Sequence, residues 1–449
     1  MNNVCIREFG VLFPDSSKII ESLGSRVISK SAWEWLLKEA AGTEQHKPLV
    51  RPIKRFGNTG LQVLNYVGVI TTPCGWQIEI VPKIDKYSVK SDDRVEQERE
   101  AEQSRTKLIQ MLTTVGIIKF RHFNHASLKV FNKPLPEVLI QQFLNDVRQL
   151  IKRGIRNDYV AVREEASYLK GRLNIAAQIR QPIDRRHLFQ IEYDEFLPDR
   201  AENRLIHSAL IKVTKISKNA TNKRLASELL FVFNEIPLSL NYSLDFSHWL
   251  GNDRSIVHYQ AVKPWCELIL NGQSPFSLAG PQQGLSFLFP MNVLFEKYVA
   301  VVLRNQLEPS FILKEQAASK YLVEEHKDKL MFQLKPDLLI SSAKKPEEHH
   351  AILDCKWKLI KPHKRDENYG ISSGDMYQLY VYGQKYLGGK GYMFLIYPET
   401  DEFTKPLEVF DFDGQLKLWV VPFKWVDDEG NGRVDLTGTP VWEWLKKQS

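Results

Sequence analysis

The sequence predicts an α+β, multidomain protein, on three observations. At 449 residues the chain is longer than one compact core organises. Its text alternates between β-prone runs closed by Pro/Gly turns and amphipathic helical stretches. The segment Asn271 to Gly284, NGQSPFSLAGPQQG, is rich enough in Gly, Pro, Ser and Gln to mark a boundary. The expected order is a β-rich N-terminal region over 1–120, a mixed helical and β middle region over 121–280, and a C-terminal α/β domain over 285–449.

In the N-terminal region, Leu61 to Ile70 reads as one β-prone run. A Thr-Thr-Pro-Cys-Gly turn and a second run, Trp76 to Val81, complete a hairpin. The charged stretch Ser91 to Lys107 mixes both signs on good helix formers and leads into Leu108, Ile109 and Leu112, so a helix is expected. The next helix runs from about Pro136 to Arg153, with proline near its start, Gly154 just past its end, and Leu139, Phe143 and Val147 on one stripe. Asp158 to Phe196 turns β-like, and helices are expected over Asp199 to Ile216 and Thr221 to Phe233. Nine Lys and Arg residues between Lys152 and Arg186 form either a solvated surface or an electrostatic footprint for DNA or an acidic partner. Past the boundary, helix Met291 to Leu307 precedes a strand Phe332 to Ile340 and a flexible hairpin Ser341 to His350, whose histidines are expected in solvent. Next come the run AILDCKWK (351–358), a helix opening near Asp375 behind Ser372 and Ser373, and an apolar strand Gly391 to Tyr397 suited to a sheet centre.

Composition narrows the class. The 43% hydrophobic and 26% charged content is that of a soluble globular chain. The start, MNNVCIREFG, lacks a basic segment leading into an apolar one, so no secretory signal is expected. Ser286 to Val302, among the most apolar stretches, is broken by Pro290, Asn292, Glu296 and Lys297, and no membrane span is expected. Cys5, Cys74, Cys266 and Cys355 form no CxxC pair, which argues against a zinc site or disulfide framework and for a reducing cytoplasm. A net charge of +7 is compatible with a nucleic-acid partner and decides nothing alone.

The chemistry concentrates after residue 290. In a strand, residues i and i+2 share a face, so Asp354 and Lys356 are expected to project together, with Leu353, Cys355 and Trp357 opposite. Asp337 lies 17 residues upstream on the strand expected to pair with AILDCKWK. Neighbouring strands bring two carboxylates within metal-sharing distance, roughly 4 Å. Oxygen ligands with room for water suit Mg²⁺ or Mn²⁺. A lysine beside them can position a water or stabilise charge on a phosphate. Those parts serve phosphodiester hydrolysis; a surface ion network is the plainer reading of the same three residues. Glu296 on the preceding helix, and Gln378 with Tyr382 one turn apart on the following one, complete the order.

On these residues the C-terminal third resembles the PD-(D/E)xK (restriction-endonuclease-like) nuclease superfamily, and the QxxxY helix is similar to its RecB-like branch. More widely, the chain resembles the McrC family, nuclease subunits of McrBC-type modification-dependent (type IV) restriction systems. The resemblance rests also on Gly75 to Ile84 (GWQIEIVPKI), Tyr168 to Leu173 (YLKGRL), Tyr193 to Phe196 (YDEF) continuing to Asn203-Arg204, Leu294-Phe295-Glu296, and Asp375 to Leu379 (DMYQL). One departure is DCK where many of these nucleases have ExK; aspartate is the shorter ligand.

The resemblance implies a C-terminal PD-(D/E)xK nuclease domain. It implies Asp337, Asp354, the Cys355 carbonyl and Glu296 as ligands of Mg²⁺ (or Mn²⁺), and Lys356 and Gln378 as catalytic groups. It also implies a partner, an McrB-like AAA+ GTPase ring that binds GTP and recognises modified, methylcytosine-containing double-stranded foreign DNA. The chain would bind that ring through its N-terminal part, stimulate GTP hydrolysis and cut the DNA. The sequence itself carries no GxxxxGK[ST]; its nearest text, Gly388-Gly389-Lys390-Gly391, lacks the spaced glycine and the hydroxyl, so no GTP is expected here. The alternative is a non-catalytic activator or adaptor of an AAA+ NTPase whose nuclease-like domain is structural.

Overall fold

The computed structural model describes residues 3–15, 17, 19–40, 48–83, 94–116, 134–249, 258–271, 287–412, 414–425 and 432–445. The chain divides into two compact units, one built from Met1–Asn132 with Leu288–Ser449 and the other from Lys133–Phe287. Segments from the two ends of the sequence thus share one unit, and the boundary stretch after Asn271 falls outside the described residues until Phe287.

The first unit centres on a mixed sheet. Its order is Phe311–Glu315, Leu338–Ser342, His349–Cys355, Gly391–Pro398, Leu416–Lys424 and Phe410–Asp411, with Arg433–Val434 also on Leu416–Lys424. The first three strands run antiparallel, whereas His349–Cys355, Gly391–Pro398 and Leu416–Lys424 are mutually parallel. Parallel strands are covered on both faces, which is why GYMFLIYP and LKLWVVPFK are nearly continuous apolar runs. The crossover between His349–Cys355 and Gly391–Pro398 contains helix Ser373–Leu387, capped by the Ser372 hydroxyl accepting from the Asp375 N–H and closed by left-handed Gly388. Leu379, Tyr382 and Tyr386 of that helix pack on Leu339, Ile352, Met393 and Leu395, each such burial contributing about 1.5–3 kcal/mol. Gly383 permits the close approach: a β-carbon there would lie 2.8 Å from Met393 Sδ.

Helix Met291–Gln306 packs Phe295 and Tyr298 into an aromatic cluster with Trp357, Phe423 and Trp425. The N-terminal part of this unit contributes two further sheets. One holds Asn3–Arg7, Gln77–Val81, Tyr66–Thr71 and Phe287–Pro290; the other holds Ser25–Ile28, Val11–Pro14, Asn58–Val63 and Val50–Arg55. Glu8 ties the two ends of the sequence together. It is buried, and its carboxylate accepts from the Lys83 N–H and from Trp357 Nε1.

The second unit carries helices Leu135–Arg153, Ala201–Ile216, Ala220–Val232, Tyr242–His248 and Lys263–Asn271, and a sheet of Asp158–Ala166, Phe189–Leu197 and Arg172–Leu173. Buried Glu137 joins two of its helices, accepting from Ser217 Oγ, the Lys218 N–H and Asn222 Nδ2.

Several sequence expectations need correction. The run Leu61 to Ile70 is split between Asn58–Val63 and Tyr66–Thr71, strands of different sheets. The expected strand Phe332 to Ile340 is also two, Lys329–Leu334 and Leu338–Ser342, with Lys335-Pro336-Asp337 between them; proline has no N–H for a ladder. Strand His349–Cys355 stops before Lys356, so strict alternation does not set that side chain's direction. His349 and His350 open this strand half-buried rather than sitting in solvent, and His349 Nδ1 is hydrogen-bonded to Ser341 Oγ. The charged stretch before Thr114 is a helix, Arg94–Thr114, and the Trp76–Val81 text is the second arm of a hairpin with Tyr66–Thr71.

Burial raises the Glu8 pKa to about 8, against the hydrogen bonds from Trp357 and Lys83 that favour its ionised form. A carboxyl whose folded pKa is raised contributes stability fully below its unfolded value and loses that contribution as pH rises through the folded one. Chemical denaturation is therefore expected to show stability falling between about pH 5 and 8, and Glu8→Gln is expected to flatten that slope.

Candidate active site

The site forms where the Asp337 turn, the end of strand His349–Cys355 and the start of helix Ser373–Leu387 converge. Pro336 ends the ladder, leaving the Asp337 side chain free to reach across to the neighbouring strand. There its Oδ2 accepts the Cys355 N–H at 2.9 Å. Asp354 is 1% exposed and pairs in parallel register with Leu395. The Lys356 N–H donates to the Ile396 carbonyl, and its side chain returns so that Nζ lies 2.7 Å from Asp354 Oδ2. Asp354 Oδ2 is buried, and the Lys356 ammonium is its charge partner there.

Gln378 and Tyr382 act as a pair one helical turn apart. Gln378 Nε2 donates to Tyr382 Oη at 2.9 Å, which donates to the Lys335 carbonyl at 3.0 Å. The free end of the amide, Oε1, accepts from Lys356 Nζ at 3.5 Å. Glu296, on helix Met291–Gln306, accepts from Gln316 Nε2, and the same nitrogen lies 3.5 Å from Asp337 Oδ1. The fold therefore gathers Asp337, Asp354, Lys356, Glu296 and Gln378 into one connected set. Of Cys355, the group in contact with Asp337 is its N–H.

Sequence reasoning missed three members. Asp375, nearly buried in the first turn of its helix, lies 3.6 Å from Lys356 Nζ and 3.2 Å from Lys358 Nζ. It stands in the quoted DMYQL stretch, and the Ser372 cap could have pointed to it as an acid at a helix N-terminus. Lys358, the second lysine of AILDCKWK, is joined to the site through its ion pair with Asp375, and its charge also bears on Asp354. Gln316 had no sequence signal: it lies 20 residues from Glu296 and 21 from Asp337.

The electrostatics are those of crowded, desolvated acids. Burial first, and then the charges of Asp354 and Glu296, push Asp337 up to about 7, against the Cys355 N–H and Lys356. Burial likewise raises Asp354, opposed by Lys356, and raises Glu296, where Asp354 adds repulsion. Burial alone would lower Lys356, but Asp354, Asp375 and Asp337 together hold it up, so it stays charged. Two ammonium groups, Lys356 and Lys358, face four carboxylates, Asp337, Asp354, Asp375 and Glu296, and a further cation would relieve the excess. Among the described residues no three His, Cys, Asp or Glu side chains stand as a ready-made metal cage. Hard divalent cations need only one or two carboxylates, with water and substrate oxygens filling the rest. Asp337 and Asp354, on adjoining strands, supply two such carboxylates.

The ends of central strands in a mixed α/β sheet thus gather acids and a lysine into a candidate site, and comparison with known proteins defines the family. Residues 61–398 match the model of the McrBC 5-methylcytosine restriction system component family, and the chain belongs to that family. It is 25% identical over 271 residues, 58% of this chain and 75% of the relative, to the type IV methyl-directed restriction enzyme EcoKMcrBC of Escherichia coli K12. In fold it is similar to a chain in a half-complex from the tetradecameric assembly of Thermococcus gammatolerans McrB AAA+ hexamers with bound McrC. The TM-score is 0.66 at 19% identity, covering 94% of this chain and 95% of that one. Among the described residues no helix is long and apolar enough to cross a membrane.

Burial acts to raise Asp375, but the Ser372 and Lys358 hydrogen bonds and the charges of both lysines outweigh it and hold the carboxyl below its ordinary range. A depressed carboxylate contributes stability above its unfolded pKa and loses it as pH falls through the folded one. Asp375→Asn is expected to cost about 1–3 kcal/mol at pH 7 in urea unfolding, with the difference from the parent shrinking in acid.

Proposed function

We propose that this chain is a divalent-cation-dependent DNA endonuclease subunit of a GTP-driven, McrBC-like restriction complex, with a PD-(D/E)xK site. The observation that carries the reading is the convergence of Asp337, Asp354 and Lys356 where two neighbouring strands of the central sheet end, with Asp354 buried and paired to Lys356. Asp337 and Asp354, with the Cys355 carbonyl and Glu296, would hold Mg²⁺ (or Mn²⁺). The bound cation supplies a Lewis acid for the scissile phosphoryl group. Lys356, kept charged and anchored through Gln378 and Tyr382, orients the attacking water and stabilises negative charge developing on the phosphate. Asp375 keeps Lys358 at the same site, where its exposed ammonium meets the DNA backbone.

The partner we propose is an McrB-like AAA+ ring. It would bind the GTP and recognise methylcytosine, and this chain would stimulate its hydrolysis. The Thermococcus gammatolerans assembly, with McrC bound to McrB hexamers, supports that arrangement. The second unit exposes Tyr159, Tyr168, Leu169, Ile179 and Ile183 on and beside its three-stranded sheet, an apolar surface separate from the N-terminal part that the resemblance gives to the ring.

Asp354→Ala is expected to reduce cleavage by at least a hundredfold in the complex with partner, GTP and Mg²⁺, while GTPase stimulation stays intact. Full scission by that variant complex would refute the assignment. GTPase stimulation by the parent chain without scission, on methylated and unmethylated DNA alike, would instead make it an activator.

With Asp337 titrating near 7, cation binding is expected to release a proton at neutral pH. Affinity should therefore rise from pH 6 to 8 and level off above. Calorimetry in buffers of different ionisation enthalpy measures both, and Asp337→Asn should lower the number of protons released per cation bound.

A further inference from the structure

We infer that Gln316 is a positioning residue, whose amide holds Glu296 beside Asp337 so that the acids are gathered before a divalent cation arrives. This rests on the proposed reading of those acids as a cation site, and it assigns a role to a residue outside the motif. Gln316 directly follows strand Phe311–Glu315 and takes a left-handed backbone conformation, φ 48°, that non-glycine residues seldom adopt. Such strain persists where surrounding contacts over-determine it, and here the contacts are identifiable. The Gln316 N–H donates to the Asp337 carbonyl at 2.9 Å, which pins the turn to the residue it serves. The side-chain nitrogen donates to Glu296 Oε1 and lies 3.5 Å from Asp337 Oδ1. Arg304, two turns along the Glu296 helix, pairs with Glu315 and fixes the strand end against that helix.

The amide is an exposed side chain, so desolvation does not force these hydrogen bonds. Their effect is to place a neutral donor between two like charges that would otherwise repel. Glu296 stays at the site at no cost in added charge, and the excess negative charge is kept for the cation. A plain turn residue at this position would be glycine, which takes positive φ without strain.

That contrast supplies the test. Gln316→Gly relieves the backbone and removes the amide. The full-length variant is expected to keep or raise its unfolding midpoint while binding Mn²⁺ about tenfold more weakly, measured by electron paramagnetic resonance of free Mn²⁺. In the assembled complex, its cleavage should recover towards the parent rate as the metal concentration is raised. Unchanged Mn²⁺ affinity would overturn the inference, and so would weaker binding accompanied by a lowered midpoint, the mark of a merely structural role. Asp354→Asn in the same titration separates the two levels. If it binds Mn²⁺ like the parent, the cation site itself is wrong; if it loses binding while Gln316→Gly retains it, only the role of Gln316 falls.

Discussion

The hydrogen bond from the Cys355 N–H to Asp337 Oδ2 is the constraint on which the site's geometry depends. It spans two neighbouring strands at the point where the ladder between them has ended, because Pro336 offers no donor and the Leu338–Leu353 pairing is the last on that side. A carboxylate takes the place of a backbone partner. In doing so it sets Asp337 alongside Asp354 and commits one of its oxygens, leaving Oδ1 towards Gln316 and Glu296. The Leu338–Leu353 register sets Asp337 opposite Asp354, and this bond fixes which way the Asp337 carboxylate turns.

Around this bond the protein keeps charge that its burial disfavours. Asp337, Asp354 and Glu296 all have raised pKa values, and each shift begins with desolvation. The opposing cation, Lys356, is itself shared with Asp375 and steadied by Gln378. Buried charges of this kind are retained at functional sites more often than their contribution to stability would justify. The N-terminal part of the chain supports the same site from behind. Trp357, one residue beyond the lysine, is packed by Phe295 and Trp425 and donates to Glu8. That bond unites the first residues of the sequence with the last third in one compact unit, and it places a protonatable group behind the site.

Legibility in the sequence followed the range of the forces involved. Helices Leu135–Arg153 and Ser373–Leu387 were readable from caps, prolines and apolar spacing, all local properties. The central strand Gly391–Pro398 was readable because burial on both faces leaves a continuous apolar run. Where two strands abut without a strong turn signal, as at Leu64-Asn65, local text shows one run and only sheet membership divides it. The acid–acid–lysine set was legible because its members flank a hairpin of short span. Gln316, Asp375 and Lys358 were not, since their roles come from side-chain contacts rather than from spacing.

The sequence by itself determined which residues carry charge inside apolar strands, where helices begin and end, and that Asp337, Asp354 and Lys356 should be considered together. Those are consequences of local propensity and of side-chain chemistry that cannot be buried without reason. Tertiary structure alone decided that the chain's two ends form a single unit, that Lys356 reaches Asp354 from beyond the strand's end, and that Gln316 stands between Glu296 and Asp337. These depend on packing between segments distant in sequence, where the free energy comes from desolvation and contacts that no local window contains.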